Sequence, residues 1–424
     1  MIEEQEYVQR RQRVAKSLSQ NSTAFVFSNT YKTRSNDTEF PFRQNSNFYY
    51  LSGFTEDNSV LVFVQKKNKT KTILFVEKKD KAKELWTGKR LGKIEAKKRF
   101  LVDKVYEYEE FDKKIKKYLE GIHTLYFDFK AKNKKIEPFL ETLYAHKNIA
   151  KIVEKMRLIK SKEEINLIKK ALFITKEAHH KAMFLSKKVN YEYELQAEIE
   201  YVFKKNAAFS DAYTSIVACA NSANTLHYIS NNKALVNGEL ILIDAGCEYN
   251  YYASDITRTI PVSGIFSESQ AELYEMVLSV ELEIIQMIRP KLKRSVLQKK
   301  SEELLCKGLV KLGILKGNYK KLLQKNAHKK YYPHGIGHWM GLDVHDEAPY
   351  KDKKAKEIPL QSGMVLTIEP AIYCSKNDKT IPKKFRGIGI RIEDNILVKK
   401  DGYENLSKGI VKIIKDIENL YSSL

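Results

Sequence analysis

Two apolar runs in this chain, Leu240-Ile-Leu-Ile and Val365-Leu-Thr-Ile, each end on a carboxylate, Asp244 and Glu369. That coincidence constrains the fold more than any other feature. A continuous apolar run rich in β-branched residues is the pattern of a buried strand. A carboxylate carried to the end of one is costly unless it is paired or ligates a metal. Two more carboxylates follow the same habit. Asp255, in Ser254-Asp-Ile-Thr-Arg-Thr, comes eleven residues after Asp244, with Gly246 and the turn-prone Asn250 between them. A hairpin there would set the two carboxylates on neighbouring strands at the same level. Glu393 lies inside the β-type stretch 388–398.

The segment 331–347 adds nitrogen ligands. It holds His334, His338 and His345, three of the nine histidines, among Gly335, Gly337 and Gly341. Four carboxylates and one imidazole make a candidate two-metal site. Oxygen-rich donors suit Mn²⁺, Mg²⁺ or Zn²⁺ better than a thiolate-type zinc site would. Two ions sharing carboxylates would lie roughly 3.5–4 Å apart. Each piece also has an ordinary reading: an Asp after a strand caps or turns the chain, and Glu369-Pro370 ends a strand. A His in a glycine-rich loop is commonly a hydrogen-bonded loop residue. The joint occurrence, in this order and spacing, argues for a site.

A chain of 424 residues with 43% hydrophobic content supports two domains with sizeable cores. No apolar run reaches 18 residues, so no transmembrane helix is expected, and the first residues lack the features of a signal peptide. The four cysteines, Cys219, Cys247, Cys306 and Cys374, are widely spaced and read as free thiols in a reducing cytoplasm. The net charge of +22 raises nucleic acid as a partner. The lysines are scattered, however, without a basic tail or a basic-aromatic repeat. We read them as a solvated surface with no specific nucleic acid partner.

Along the chain, a helix is expected near 3–19. Strands are expected at Thr23-Ala-Phe-Val-Phe, Ser59-Val-Leu-Val-Phe-Val, Lys71-Thr-Ile-Leu-Phe-Val and Thr124-Leu-Tyr-Phe-Asp-Phe, with helices between them, an α/β pattern. Ser161, with Glu164 three residues on, signals a helix start. The domain boundary is placed there, giving domains 1–160 and 161–424. Helices are then expected over 161–187, about 191–205, and twice within 267–313.

The order Asp244, Asp255, His338, Glu369, Glu393 resembles the metal ligand set of the pita-bread metallopeptidases, which include methionine aminopeptidases, prolidases and aminopeptidase P. His334-Gly-Ile-Gly-His338-Trp-Met-Gly-Leu-Asp-Val-His345-Asp is most similar to the aminopeptidase P group. So are the segment Thr33-Arg-Ser-Asn-Asp37 through Arg43-Gln-Asn-Ser-Asn47 to Gly53, and Glu84-Leu-Trp86-Thr-Gly. One departure is Gly337, where the family pattern leads one to expect a serine or another small residue.

The resemblance implies an α/β (α+β) architecture: an amino-terminal α/β domain and a carboxy-terminal pita-bread catalytic domain with a curved antiparallel sheet. It implies two divalent metal ions, Mn²⁺ first, with Zn²⁺ or Co²⁺ as alternatives. Asp244 would hold one and His338 with Glu369 the other, while Asp255 and Glu393 bridge. Glu369 would be the general base, relaying a proton to the leaving nitrogen. His345 would hydrogen-bond the scissile carbonyl or its oxyanion, His227 would sit near the scissile region, and His334 would face the proline side. Arg391 would orient a carboxylate or tyrosine, Asp37 or Tyr373. The implied substrates are peptides with proline second, whose imide nitrogen has no N–H. A homo-oligomer is implied as well, with Trp86 either reaching a neighbouring subunit's site or packing in its own domain. The alternatives are a prolidase acting on Xaa-Pro dipeptides and a non-catalytic pita-bread binding protein. A methionine aminopeptidase usually lacks such an amino-terminal domain.

Overall fold

The runs that read as strands in the first third of the chain do pair. Val60–Lys66 lies antiparallel between Ser22–Phe27 and Lys69–Val76, with Phe25 opposite Val62 and Ile73 opposite the same Val62. Thr124–Phe127 pairs parallel with Ser22–Phe27, Ala145–Asn148 with Thr124–Phe127, and Lys104–Glu107 with Lys69–Val76. The result is one mixed six-stranded sheet. Val60–Lys66 is buried along nearly its whole length, as a central strand covered on both faces must be. The helix Phe111–Leu119 covers this sheet, with Phe111 set edge-on to Phe75 at 5.0 Å. The expected first helix is Glu4–Ser17. This computed structural model describes residues 2–131, 133–140 and 144–422. It divides into two units, Met1–Met156 and Arg157–Leu424.

The second unit opens as Ser161 and Glu164 dictate. The Ser161 hydroxyl accepts the Glu164 N–H and the Glu164 carboxylate accepts the Ser161 N–H, a closed capping box. The helix Lys162–Leu185 then buries Ile168, Ala171, Leu172, Ile174, Ala178 and Ala182 along one stripe. Glu192–Lys205, Glu268–Gln286 and Arg294–Lys311 follow as helices. The strands of this unit pair antiparallel throughout. Leu240–Asp244 lies between Ile216–Cys219 and Thr257–Pro261, and Asp394–Val398 between Val365–Ile368 and Tyr403–Asn405. Ala371–Tyr373 pairs with Gly389–Arg391.

Two details depart from the strand pattern read in the sequence. Asp244 is level with Thr257, not with Asp255. The residues between them make a second excursion, Cys247–Tyr249 against Tyr252–Ala253. Asp255 therefore sits in the connection just before the strand. Gly246 permits this fold-back, because a Cβ there would lie 1.9 Å from the Ser254 carbonyl oxygen. The stretch 388–398 is likewise two strands in two sheets, Gly389–Arg391 and Asp394–Val398. Glu393 occupies the break, where the chain leaves one partner for the other.

Candidate metal centre

The carboxylates converge because strand ends and breaks converge. Asp244 ends its strand, Asp255 precedes the next one, Glu369 directly follows Val365–Ile368, and Glu393 sits between two strands. All four line one cavity of about 420 Å³ with His227, His334, His338, His345 and Arg391. That volume falls in the range of small-ligand sites, ~300–1,000 Å³. Every residue singled out from the sequence as a ligand or catalytic group borders this one space. Its remaining wall is Tyr213, Thr214, Ile216, Leu226, Ile229 and Val344, with Gly335 and Gly337.

Side-chain oxygens and one imidazole nitrogen face each other across the cavity. His338 Nε2 lies 3.2 Å from Asp255 Oδ2 and 3.7 Å from Glu369 Oε1. Its Nδ1 is 3.0 Å from the Trp339 carbonyl oxygen; a carbonyl only accepts, so Nδ1 carries a proton and Nε2 is the nitrogen left to face the carboxylates, or a cation in their midst. Among the described residues, Asp255, His338 and Glu393 offer ligand atoms within 4.8 Å of one another. The His345 ring stands edge-on to His338 at 4.2 Å.

Arg391 orients a carboxylate and a tyrosine at once. It donates to Asp244 Oδ2 at 2.5 Å and to the Tyr373 hydroxyl at 2.8 Å. The Tyr373 hydroxyl is 3.1 Å from His334 Nε2, and His334 Nδ1 donates to the Gly335 carbonyl at 2.8 Å. Tyr373 thus accepts from Arg391 and gives its own proton to His334.

Several supporting groups carry no signal that the sequence reading used. The Tyr213 hydroxyl donates to Asp244 Oδ1 at 2.6 Å. Thr257 donates its hydroxyl to Glu393 Oε2 at 2.8 Å and accepts the Glu393 N–H on its carbonyl at 3.1 Å. Asn395 clamps the backbone of Asp255, accepting its N–H at 3.1 Å and donating to its carbonyl at 2.6 Å. The buried Arg258 donates to the Glu393 carbonyl at 2.6 Å and to Asp394 at 2.7 Å. Thr257, Arg258 and Asn395 explain why Asp255 and Glu393 meet although 138 positions separate them.

The charge in the cavity does not balance. Four carboxylates share the cavity with one guanidinium and the His338 imidazole, so acidic groups outnumber basic ones. Burial, with repulsion between neighbours, raises Asp244, lifts Glu369 to about 7 and holds Glu393 well above the ordinary carboxylate range. Burial disfavours a charged His338, yet Asp255 and Glu369 hold it up to about 9. Burial takes His334 down to about 4 and lowers His345. A cluster of this sign and donor type fits divalent cations, which would supply the missing positive charge.

Residues 166–400 match metallopeptidase family M24, and residues 7–126 match the aminopeptidase P N-terminal domain. The chain belongs to metallopeptidase family M24. Xaa-Pro aminopeptidase of Haemophilus influenzae is 40% identical to it over 99% of this chain and 97% of the relative. The Escherichia coli protein of the same name is 37% identical over 99% and 98%. The structure of zinc-substituted E. coli aminopeptidase P in complex with product superposes with a TM-score of 0.94 at 36% identity, covering 100% of this chain and 99% of that one. The pita-bread architecture expected from the ligand order is therefore the architecture of this family member. Gly337 is explained by its packing: a Cβ there would lie 1.9 Å from the Thr367 carbonyl oxygen. At this point the loop runs too close to its neighbouring strand for a side chain. No helix among the described residues is long and apolar enough to cross a membrane, and all four cysteines are free and buried.

Proposed function

We propose that this chain is an Xaa-Pro aminopeptidase, hydrolysing the bond between the first residue of a peptide and a proline in second place. The observation that carries the reading is the convergence of four carboxylates and His338 in one cavity of a metallopeptidase fold. Its relatives of that name span nearly the whole chain. Both domains take part in the proposal, with 1–160 as the aminopeptidase P-type domain and 161–424 as the catalytic one.

Asp244 would hold one ion, His338 and Glu369 the second, and Asp255 with Glu393 both. We take the ions to be Mn²⁺, with Zn²⁺ or Co²⁺ able to use the same donors. Bound there, divalent cations would supply Lewis acidity and an acidified water as nucleophile. Glu369 would accept the proton of the attacking water and pass it toward the leaving imide nitrogen. His345 and His227 stand on the cavity wall as donors to the scissile carbonyl as negative charge grows on its oxygen. His334 faces the proline side. Arg391 keeps Asp244 aimed inward through the contact at 2.5 Å. The aliphatic wall of Ile216, Leu226, Ile229 and Val344 suits an apolar pyrrolidine ring.

Cytoplasmic location and a homo-oligomer belong to the same proposal. Leu85 and Trp86 are 83% and 86% exposed on the amino-terminal unit, apolar surface that another copy would cover. The test of the function is product analysis after incubating the Mn²⁺-loaded protein with Xaa-Pro-Yaa, Xaa-Ala-Yaa and the dipeptide Xaa-Pro. Release of Xaa from the first alone, absent in Glu369→Gln, supports the reading. Cleavage of the dipeptide alone assigns a prolidase, and cleavage of none of them returns the protein to the binding class.

A further inference from the structure

The helix Arg294–Lys311 does not reach the cavity, yet one of its faces grips the histidine loop from behind. Arg294, Gln298 and Glu302 stand at i, i+4 and i+8 and so share that face. Gln298 Oε1 accepts the Ile336 N–H at 2.6 Å, and Gln298 Nε2 donates to Glu302 Oε1 at 3.0 Å. Arg294 donates to the Gly337 carbonyl and lies over the Tyr350 ring at 4.5 Å. A carboxylate only accepts, so Glu302 decides which way the Gln298 amide faces: NH₂ toward itself, carbonyl toward Ile336.

Ile336 lies midway between His334 and His338 and is held on both sides. Its N–H goes to Gln298, while its carbonyl accepts the Glu369 N–H at 2.9 Å. Two further bonds run from this loop to the strand before Glu369. The Thr367 N–H donates to the His338 carbonyl at 2.9 Å, and the His338 N–H to Thr367 Oγ1 at 3.0 Å. The Ile336 side chain is itself buried, while Gly335 and Gly337 on either side offer no side chain to hold the loop. The hydrogen bond to the Ile336 N–H is thus one of the contacts that place both histidines against the carboxylates.

We propose that Gln298 is a positioning residue of the metal centre, holding the Ile336 N–H so that His338 is presented at the right distance from Asp255 and Glu369. Glu302 acts through Gln298 by fixing its amide. The inference rests on the metallopeptidase reading above. It predicts an effect on metal affinity and turnover from a residue outside the cavity lining.

The test compares the wild type, Gln298→Met and the exchange Gln298→Glu with Glu302→Gln. Methionine keeps the length and removes both hydrogen bonds. In the exchange, the carboxylate at position 298 accepts the Ile336 N–H and the amide at 302 donates to it. Mn²⁺ affinity is read by calorimetry, kcat and KM on an Xaa-Pro-Yaa peptide, and Tm by thermal melting. Gln298→Met should weaken Mn²⁺ binding about tenfold or more, as loss of a ligand-orienting contact does. It should lower kcat by a similar factor with KM within about twofold, and the exchange should restore most of both. Glu302→Ala, which leaves Gln298 in place, should shift Mn²⁺ affinity in the same direction by less and serves if Gln298→Met does not fold. A drop in Tm with unchanged Mn²⁺ affinity and kcat well below the melt would overturn the inference, as would an exchange no better than Gln298→Met. Should the wild type bind Mn²⁺ and cleave no Xaa-Pro bond, the proposed function fails, while the Mn²⁺ affinities still decide the role of Gln298.

Discussion

Glu393 is buried at the break between two strands, beside three other carboxylates and one arginine. Removing its charge should have opposite effects with and without metal. In the metal-free protein, Glu393→Gln removes the cost of burying a carboxyl whose ionisation is disfavoured there and keeps an oxygen to accept from Thr257, so Tm should rise. In the Mn²⁺-loaded protein the same change removes a ligand, so Tm should fall below that of the loaded wild type. Paired melts with and without a chelator check both signs. At Gly337 the obstacle is steric. A Cβ 1.9 Å from the Thr367 carbonyl oxygen forces the loop off its strand, so Gly337→Ala should cost about 3 kcal/mol or more and lower Tm by several degrees. The residues that line the cavity could be picked out in the sequence because Asp and Glu stand beside apolar runs and the histidines crowd one glycine-rich segment. Their supports were not: Tyr213, Thr257, Arg258 and Asn395 are common residue types whose partners lie tens to more than a hundred positions away.

Among the elements, the helix Lys162–Leu185 was readable to within two residues because its start is chemically marked by Ser161 and Glu164. Ser161→Ala should cost about 1 kcal/mol of stability by opening that cap, measured by denaturant titration. His179, on the same helix, is fully buried with Nε2 on the Ala245 carbonyl at 3.0 Å, and burial takes it from 6.5 down to about 4. Its folded value lies below its unfolded one. The unfolded chain therefore takes the proton first as pH falls, so the stabilising contribution is complete above about 6.5 and is lost between 6.5 and 4. His179→Gln should flatten the fall of stability with acidification across that window, by on the order of 1 kcal/mol per pH unit. Melts at several pH values test it. The short strands were harder to read. The region 388–398 looks like one strand because Ile390, Ile392 and Ile396 are all buried, and only tertiary pairing reveals that it serves two sheets. The step from Asp244 to Asp255 similarly conceals the Cys247–Tyr249 excursion, since a Gly and an Asn in the connection suit a simple hairpin equally well.

For the whole molecule, the α/β character of the amino-terminal part was visible in its alternating strand and helix patterns, whereas the architecture of the catalytic part came from the resemblance of its ligand order, because its short strands leave little periodicity to read. The amino-terminal unit's exposed Leu85 and Trp86 make assembly the natural expectation at this scale. Light scattering should give a mass above that of one 49.2 kDa chain, and Trp86→Asp should move it toward the monomer. The central claim concerns the cavity, and the most direct measurement is the rate of Xaa-Pro-Yaa cleavage as Mn²⁺ is added back to metal-free protein. The account predicts no cleavage without metal, a rise that levels off near two ions per chain, and no rise in Glu393→Gln. Cleavage by the metal-free protein at the loaded rate, or full occupancy of the wild type without cleavage, would contradict it.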